Sequence, residues 1–290
     1  MPVPAANSPT VRQRRLRVEL RKARDEAALT QEQVAENLDW SLSKVIRIES
    51  GSVGVSTTDL KALLSLYGVS TERIAELVEL ARLARERAWW SGYRKVISQQ
   101  YYDLIGYESA AGIIRQYENL VIPGMLETQE YAREYIANLI DPELTGNVDT
   151  LVELRMRRQD ILERADPPLL FYVLDESVVR RQVGGPRVMR NQLRHLIELA
   201  NRPNVTIEVV PFTAGVNPGL NGSFTILEFP SPEDDDVLHL ENPGSIRVTR
   251  DLQDAIVSYR ETFEALRKLS LHPEGTAVLL NQIAEELSSD

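Results

Sequence analysis

The chain has 290 residues, of which 43% are hydrophobic and 26% charged, and its formal net charge is -10. This length predicts two domains, since domains cluster near roughly 100 to 150 residues. No apolar run approaches the roughly 20 residues of a membrane helix, and no cysteine is present for a disulfide or a thiolate metal site. The N-terminus lacks the basic flank and apolar block of a signal peptide, so we expect a cytoplasmic protein with no membrane partner.

Charge is distributed unevenly along the chain. Residues 1–60 contain 9 basic and 8 acidic side chains, whereas the rest of the chain contains 24 and 35. Residues 12–24 concentrate seven cations against the single anion Glu19, and these cations are Arg12, Arg14, Arg15, Arg17, Arg21, Lys22 and Arg24. A local basic face of this kind can meet phosphates, and the plain alternative is a solvated helix surface.

The predicted elements start with an N-terminal arm and a first helix. Residues 1–10 are expected to be a disordered arm, and residues 14–27 to form the helix. One face of this helix carries regularly spaced apolar side chains, namely Leu16, Leu20 and Ala23. Weak helix formers end it near residue 28.

A second and a third helix follow with a short turn between them. Thr30 opens the second helix with Gln33 in the pattern of a capping box, and Ser41 caps the third. Gly51 is placed to take the left-handed conformation at the end of the third helix. Asp39 lies in the turn, which requires tolerance of a positive φ, and aspartate visits that region more readily than most residues. The pattern is therefore helix, tight turn, helix.

Two more helices complete the predicted N-terminal domain of five helices, which is all-α. The fourth covers "STTDLKALLSLYG" and is opened by a Ser56 to Asp59 capping box. Residues 71–92 are predicted to form one connecting helix, because neither proline nor glycine interrupts its spaced apolar residues up to Ser91. This helix could pack on its own chain or pair with a second copy, and its two short heptads do not decide between these.

Residues 11–70 resemble the helix-turn-helix DNA-binding domain of the Cro and phage-repressor (XRE) family. The segments "LRKARDEAALTQEQVAENL" and "SLSKVIRIESG" carry the resemblance. It implies a buried ion pair between Arg24 and Glu49, joining the first helix to the end of the third. It also implies that the third helix lies in the major groove while the second crosses the phosphate backbone.

The resemblance further implies a DNA-facing set of residues. Gln31 is expected to bond a phosphate or a base edge, Lys44 and Arg47 are the candidates for guanine, and Leu42 or Ile46 would touch a thymine methyl group. The full set is Arg12, Arg14, Arg15, Gln31, Ser41, Leu42, Ser43, Lys44, Ile46 and Arg47. The plain alternative is a solvated polar helix surface. The expected partner is double-stranded DNA with a palindromic operator, bound by a homodimer.

Residues 93–290 are predicted to form a larger α+β domain with about four strands. The strands are "LLFYVLDE", "VTIEVVPF", "GSFTILEF" and "VLHLEN". Helices are predicted over "IPGMLETQEYAREYIANLI", "NVDTLVELRMRRQDILERA" and "VGGPRVMRNQLRHLIELA". Two more close the chain, from about residue 251 to 269 and from about residue 274 to 287.

Aromatic residues are dense where this second domain begins. Seven of them lie in a segment that reads as helical: Trp89, Trp90, Tyr93, Tyr101, Tyr102, Tyr107 and Tyr117. Such residues suit a ligand-lined cleft or a partner surface, and packing in a core is the alternative. No catalytic or metal-binding arrangement is found, so we expect a protein that is not an enzyme and has no cofactor.

Residues 93–285 also resemble the domain of unknown function that follows the helix-turn-helix in many actinomycete regulators. The segments "IPGMLETQEYA", "FYVLDESVVRRQVGGP", "RPNVTIEVVPF" and "GSFTILEF" carry this second resemblance. It implies a sensory or partner-binding domain whose signal is a small-molecule effector or, as in toxin and antitoxin arrangements, a small protein encoded nearby. We therefore expect a sequence-specific transcriptional regulator. An antitoxin-like interaction protein and an enzyme tethered to DNA are the alternatives.

Overall fold

The computed structural model describes residues 8–139, 148–240 and 252–288. The chain divides into two compact units, one built mainly from the residues before Gly92 and the other mainly from Gly92 onward. In the described ranges, no helix combines the length and the apolar character needed to cross a membrane.

The described part of the N-terminal unit contains five α-helices, as predicted for its all-α class. They are α1 (Pro9–Glu26), α2 (Gln31–Leu38), α3 (Leu42–Ser50), α4 (Thr57–Leu66) and α5 (Thr71–Leu83). The prediction of a disordered arm over residues 1–10 is wrong for its end, because α1 already begins at Pro9. Proline suits a first helical turn, where its missing N–H would have no partner. Residues 1–7 lie outside the described residues.

The connecting helix is shorter than predicted, because α5 ends at Leu83 and a 3₁₀ turn, Trp89–Tyr93, replaces its last part. The carbonyl oxygens at the end of α5 accept hydrogen bonds from side chains of α1. Nη1 of Arg12 donates to the Leu83 oxygen at 3.3 Å, and Nε2 of Gln13 donates to the Ala84 oxygen at 2.8 Å. These donors take the place of the amides that another helical turn would supply.

One apolar core joins all five helices of the N-terminal unit. Its buried members come from every helix and are Leu16, Leu20, Ala23, Val34, Ala35, Val45, Ile48, Leu60, Leu63, Leu64, Tyr67, Leu77 and Ala81. The residues Leu77 and Ala81 belong to α5, so the connecting helix packs within its own chain, against α1 and α4. The helix-turn-helix elements are thereby fixed on a common core.

The C-terminal unit is built on one five-stranded sheet, which confirms the predicted α+β class. Its strands are β1 (Ile113–Glu118), β2 (Leu169–Asp175), β3 (Val205–Val210), β4 (Phe224–Glu228) and β5 (Val237–Leu240), in the order β3-β2-β1-β4-β5. Strands β1, β2 and β3 are parallel, and β4 runs antiparallel to both β1 and β5. The register sets Tyr117 between Val173 and Phe224.

The central strand β1 is the one that the sequence did not predict, since the segment before Tyr117 was expected to be helical. Its polar residues obscure the strand pattern, and one of them, Arg115, has its partner elsewhere in the fold. Nε of Arg115 donates to a carboxylate oxygen of Glu228 at 2.7 Å across the β1–β4 pair. The four predicted strands all form in the described residues, and the last two positions of the fourth, 241 and 242, lie outside them.

Seven α-helices accompany the sheet in the described part of this unit. They are α6 (Gln99–Glu108), α7 (Gln129–Leu139), α8 (Val148–Arg158), α9 (Glu176–Arg180), α10 (Gly185–Ala200), α11 (Leu252–Leu269) and α12 (Pro273–Glu286). Helix α11 covers one face of the sheet through a cluster that includes Phe224 and Phe263. Helices α10 and α12 pack on each other and on β3.

Candidate nucleic-acid interface

The turn between α2 and α3 is built from short-range capping interactions. The predicted capping box forms, because the Gln33 amide donates to Oγ1 of Thr30 at 3.2 Å and the Thr30 amide donates to Oε1 of Gln33 at 2.9 Å. Oγ of Ser41 accepts from the Lys44 amide at 3.3 Å and caps α3. Asp39 adopts φ 54° and ψ 45°, the left-handed conformation that the turn requires.

Helix α3 is amphipathic in an unusual way, because its exposed side also carries apolar residues. Val45 and Ile48 are 1% and 4% exposed and belong to the core. Leu42 and Ile46 are 37% and 42% exposed, one helical turn apart on the other side. The polar residues of that side, Ser43 and Arg47, are exposed and also one turn apart. The helix therefore presents a mixed polar and apolar face to solvent.

The predicted ion pair between Arg24 and Glu49 is present. Nε and Nη2 of Arg24 donate to the two carboxylate oxygens of Glu49 at 2.8 and 3.3 Å. Gln31, one of the predicted DNA-binding residues, donates from Nε2 to Oε2 of the same carboxylate at 2.8 Å. Burial acts to lower the pKa of Arg24, but the hydrogen bond and the charge of Glu49 outweigh it, so the pKa is raised.

Cations of α1 hold the end of α3, which the sequence did not predict. Nε and Nη2 of Arg21 donate to the Glu49 carbonyl at 3.1 and 2.7 Å, and Nη1 of Arg17 donates to the Ser50 carbonyl at 3.4 Å. The C-terminus of a helix has unpaired carbonyls and a partial negative charge, so cations are favoured there. Arg17, Arg21 and Arg24 recur at steps of four and three, which is the signal that would have revealed a common face.

Part of the predicted basic face is therefore structural. Arg12 is only 11% exposed and bonds both the end of α5 and, at 3.1 Å, Oε2 of Glu86. Arg14 and Arg15 are half-buried, and Lys22 is exposed. Among the cations of α1, the arginines at positions 12, 17, 21 and 24 therefore serve to position helices.

Lys44, predicted to contact guanine, is engaged by α4 and by the turn. Its Nζ lies 2.7 Å from Oδ1 of Asp59 and 3.5 Å from the centroid of the Trp40 ring. The predicted box at the start of α4 is half formed: the Asp59 amide donates to Oγ of Ser56 at 3.0 Å, while the Asp59 carboxylate accepts from Lys44. The hydrogen bond from Lys44 lowers the pKa of Asp59, with burial opposing and Ser56 assisting.

The seven aromatic residues do not share one site. Trp89 and Trp90 belong to the N-terminal unit, with ring centroids 5.5 Å apart, and Trp90 is 3% exposed. Tyr107 and Tyr117 are buried in the C-terminal unit, each beside a phenylalanine ring. Trp90, Tyr107 and Tyr117 are thus buried, as the core alternative expects, whereas Trp89 is half-buried.

The remaining three aromatic residues are half-buried, as Trp89 is. Tyr93 and Tyr102 lie near the surface of the C-terminal unit. The guanidinium carbon of Arg158 lies 4.9 Å from the centroid of the Tyr101 ring, and the Tyr101 hydroxyl accepts a hydrogen bond from the same guanidinium. Arg158 also forms a buried pair with Glu108 at 2.6 Å, so Tyr101 contributes to a buried ionic cluster.

Two family models match this chain. A helix-turn-helix domain matches residues 15–77, and the domain of unknown function DUF5753 matches residues 101–282, more than half of the chain. No curated protein and no solved structure gives a significant match. The predicted helix-turn-helix and the predicted domain of unknown function are thereby confirmed, and the first is a domain of the kind found in DNA-binding regulators.

Proposed function

Because the chain belongs to the DUF5753 family and carries a helix-turn-helix domain, we propose that it is a sequence-specific, DNA-binding transcriptional regulator. The observation that carries this proposal is the exposed face of α3. Leu42 and Ile46 are both exposed on α3 beside Ser43 and Arg47, so this face offers apolar and polar contacts together. A helix of this kind fits the major groove, where apolar and polar contacts together read base edges.

The four exposed side chains have distinct roles in the proposed complex. Arg47 donates to O6 and N7 of guanine, which is the commonest specific contact in the major groove. Leu42 and Ile46 contact thymine methyl groups, and Ser43 bonds a base edge or a phosphate. Hydrogen bonds to Glu49 from Arg21 and Arg24 in α1 and from Gln31 in α2 fix the angle at which α3 enters the groove.

We also propose that the protein binds a palindromic operator as a dimer. One recognition helix covers few base pairs, and domains of this type gain affinity by placing two copies about one helical turn apart. Sedimentation of the protein with a selected operator duplex tests this directly. Two chains per duplex are expected, and one chain per duplex at saturation would reject the dimer.

The C-terminal unit is the proposed regulatory part, responding to a small effector molecule or to a small protein partner. Support comes from its separate core and from three apolar side chains exposed in the loop after β3. Phe212, Val216 and Leu220 are 56%, 93% and 65% exposed, and exposed apolar residues of this kind are common at binding surfaces. A variant with all three of these side chains changed to serine is compared with the wild type. The difference in their operator affinity measures whether this loop affects DNA binding.

The reading of DNA is tested with Arg47→Ala in the full chain. An operator is first selected from random duplexes with the wild-type protein. Arg47→Ala is then expected to weaken binding to that operator by about 1 to 3 kcal/mol and to relax the preference at one base pair. Arg82→Ala is the matched control, because Arg82 is an exposed arginine on α5 paired with Glu79. Equal operator binding by wild type and Arg47→Ala would reject the assignment.

A further inference from the structure

The ammonium of Lys44 has two partners inside the N-terminal unit. Oδ1 of Asp59, in the first turn of α4, lies 2.7 Å from Nζ, and the face of the Trp40 ring lies 3.5 Å from it. The side chains of Lys44 and Asp59 are 33% and 26% exposed, so the pair is partly shielded from water. A carboxylate and an aromatic face act on one charge, which restrains the lysine more than an exposed ion pair would.

Such a restraint matters because Lys44 lies in the first turn of the recognition helix. A mobile lysine there would neutralise phosphates of any sequence, and that contribution raises non-specific and specific affinity together. A lysine paired with a carboxylate adds no net charge to the surface. The reading of base edges is then left to Ser43 and Arg47, which are exposed on the same helix.

We propose that Asp59 is a specificity-determining residue, which holds Lys44 against Trp40 and away from the DNA phosphates. Lys44 is then a restrained cation rather than a base-reading residue, contrary to the expectation from its position in the sequence. This inference rests on the proposed function, since it concerns how the same surface discriminates between DNA sequences.

The test compares four full-length proteins: wild type, Asp59→Asn, Lys44→Met and the double variant. Each is titrated with the selected operator and with a scrambled duplex of equal length at several salt concentrations. Asp59→Asn releases the lysine, so its affinity for scrambled DNA is expected to rise about tenfold. The slope of log K against log salt is expected to steepen by about 0.9, the value for one more neutralised phosphate.

The double variant distinguishes the restraint of Lys44 by Asp59 from base reading by Lys44. It has neither the lysine nor the carboxylate, so its salt slope and its operator preference are expected to stay within about twofold of wild type. Lys44→Met alone leaves Asp59 as an anion near DNA, and should weaken binding to both duplexes alike. Thermal melting of all four proteins checks that each is folded, and Asp59→Ser replaces Asp59→Asn if the latter is not.

Two results would overturn the proposal. One is a double variant that loses about tenfold of its affinity for the operator only, because Lys44 would then read a base. The other is an Asp59→Asn protein whose binding to scrambled DNA and salt slope are unchanged. A wild-type protein that binds both duplexes equally would instead reject sequence-specific binding itself, so the two failures are distinguishable.

Discussion

Arg24 in α1 and Glu49 in α3 form a two-pronged hydrogen bond, with distances of 2.8 and 3.3 Å, between side chains that are 15% and 4% exposed. Arg24 also donates from Nη1 to the Leu29 carbonyl at 2.9 Å, and Glu49 accepts from Gln31. One pair therefore joins α1, the start of α2 and the end of α3. Its geometry explains how α3 keeps a fixed orientation although one of its faces is exposed.

Arg24→Met removes the cation and leaves the Glu49 carboxylate buried. Breaking one partner of a buried pair costs about 3 to 5 kcal/mol, so the unfolding transition of the N-terminal unit should shift to lower temperature accordingly. Differential scanning calorimetry of the full chain measures it. Arg82→Met is the control, since that arginine is exposed and its pair with Glu79 is at the surface; it should leave the transition unchanged. An unshifted transition in Arg24→Met would contradict the structural role.

Gly51→Ala is expected to destabilise the end of α3. Gly51 has φ 78°, where an L-residue costs roughly 1 to 2 kcal/mol. A Cβ there would also lie 1.9 Å from Nη1 of Arg17, displacing the side chain that bonds the Ser50 carbonyl. Urea unfolding of the full chain measures the loss. Gly54→Ala is matched in chemistry but has open space around it and an ordinary φ, and an equal loss in both variants would refute this account.

The helix-turn-helix could be predicted in detail because its signals are local. An N-cap depends on side chains and amides three residues apart, so Thr30 and Ser41 were identifiable without tertiary information. The left-handed turn at Asp39 follows from backbone sterics in the same way. The Arg24–Glu49 pair was expected through a family resemblance, and residues 25 positions apart carry no local signal for it.

Features that depend on distant partners could not be predicted from the sequence. The central strand β1 acquires its polar pairing from Glu228, more than a hundred residues away, so its own sequence gives a mixed pattern. The end of α5 is set by donors from α1, which periodicity along α5 does not contain. Likewise Lys44 looks like a base-reading residue by position, and its engagement by Asp59 follows only from how α4 packs.

Ala28→Gly should stabilise the protein. Ala28 has φ 52° in the turn between α1 and α2, and it is exposed. Removing its Cβ relieves the left-handed strain, while glycine increases the entropy of the unfolded chain, for a net gain of about 0.5 to 1 kcal/mol. Its neighbour Ala27 has φ -76°, so Ala27→Gly should instead lose stability. Chemical denaturation measures the change in the free energy of unfolding for each variant. A change of the same sign in both would be evidence against the interpretation.

His195 in α10 should make the stability of the C-terminal unit depend on pH. Burial lowers the pKa of its imidazole, Arg202 lowers it further, and Glu198 opposes both. Its folded pKa is therefore below the unfolded value of about 6.5. The contribution of neutral His195 is complete above that value and is lost as pH falls from there through the folded pKa. The difference in unfolding free energy between wild type and His195→Gln should change between pH 7.5 and 5.5; a constant difference would exclude the effect.

The buried pair of Arg158 and Glu108 gives the sharpest test of the C-terminal core. Its hydrogen bonds are 2.6 and 3.0 Å long, and the side chains are 5% and 9% exposed. Glu108→Leu leaves the Arg158 guanidinium buried without its carboxylate and should lower the free energy of unfolding by about 3 to 5 kcal/mol. Adding Arg158→Met removes that uncompensated charge and should recover most of the loss. Urea unfolding measures both, with Glu163→Gln in an exposed pair as the control. A double variant no more stable than Glu108→Leu would show that packing against Tyr101, rather than charge compensation, governs this site.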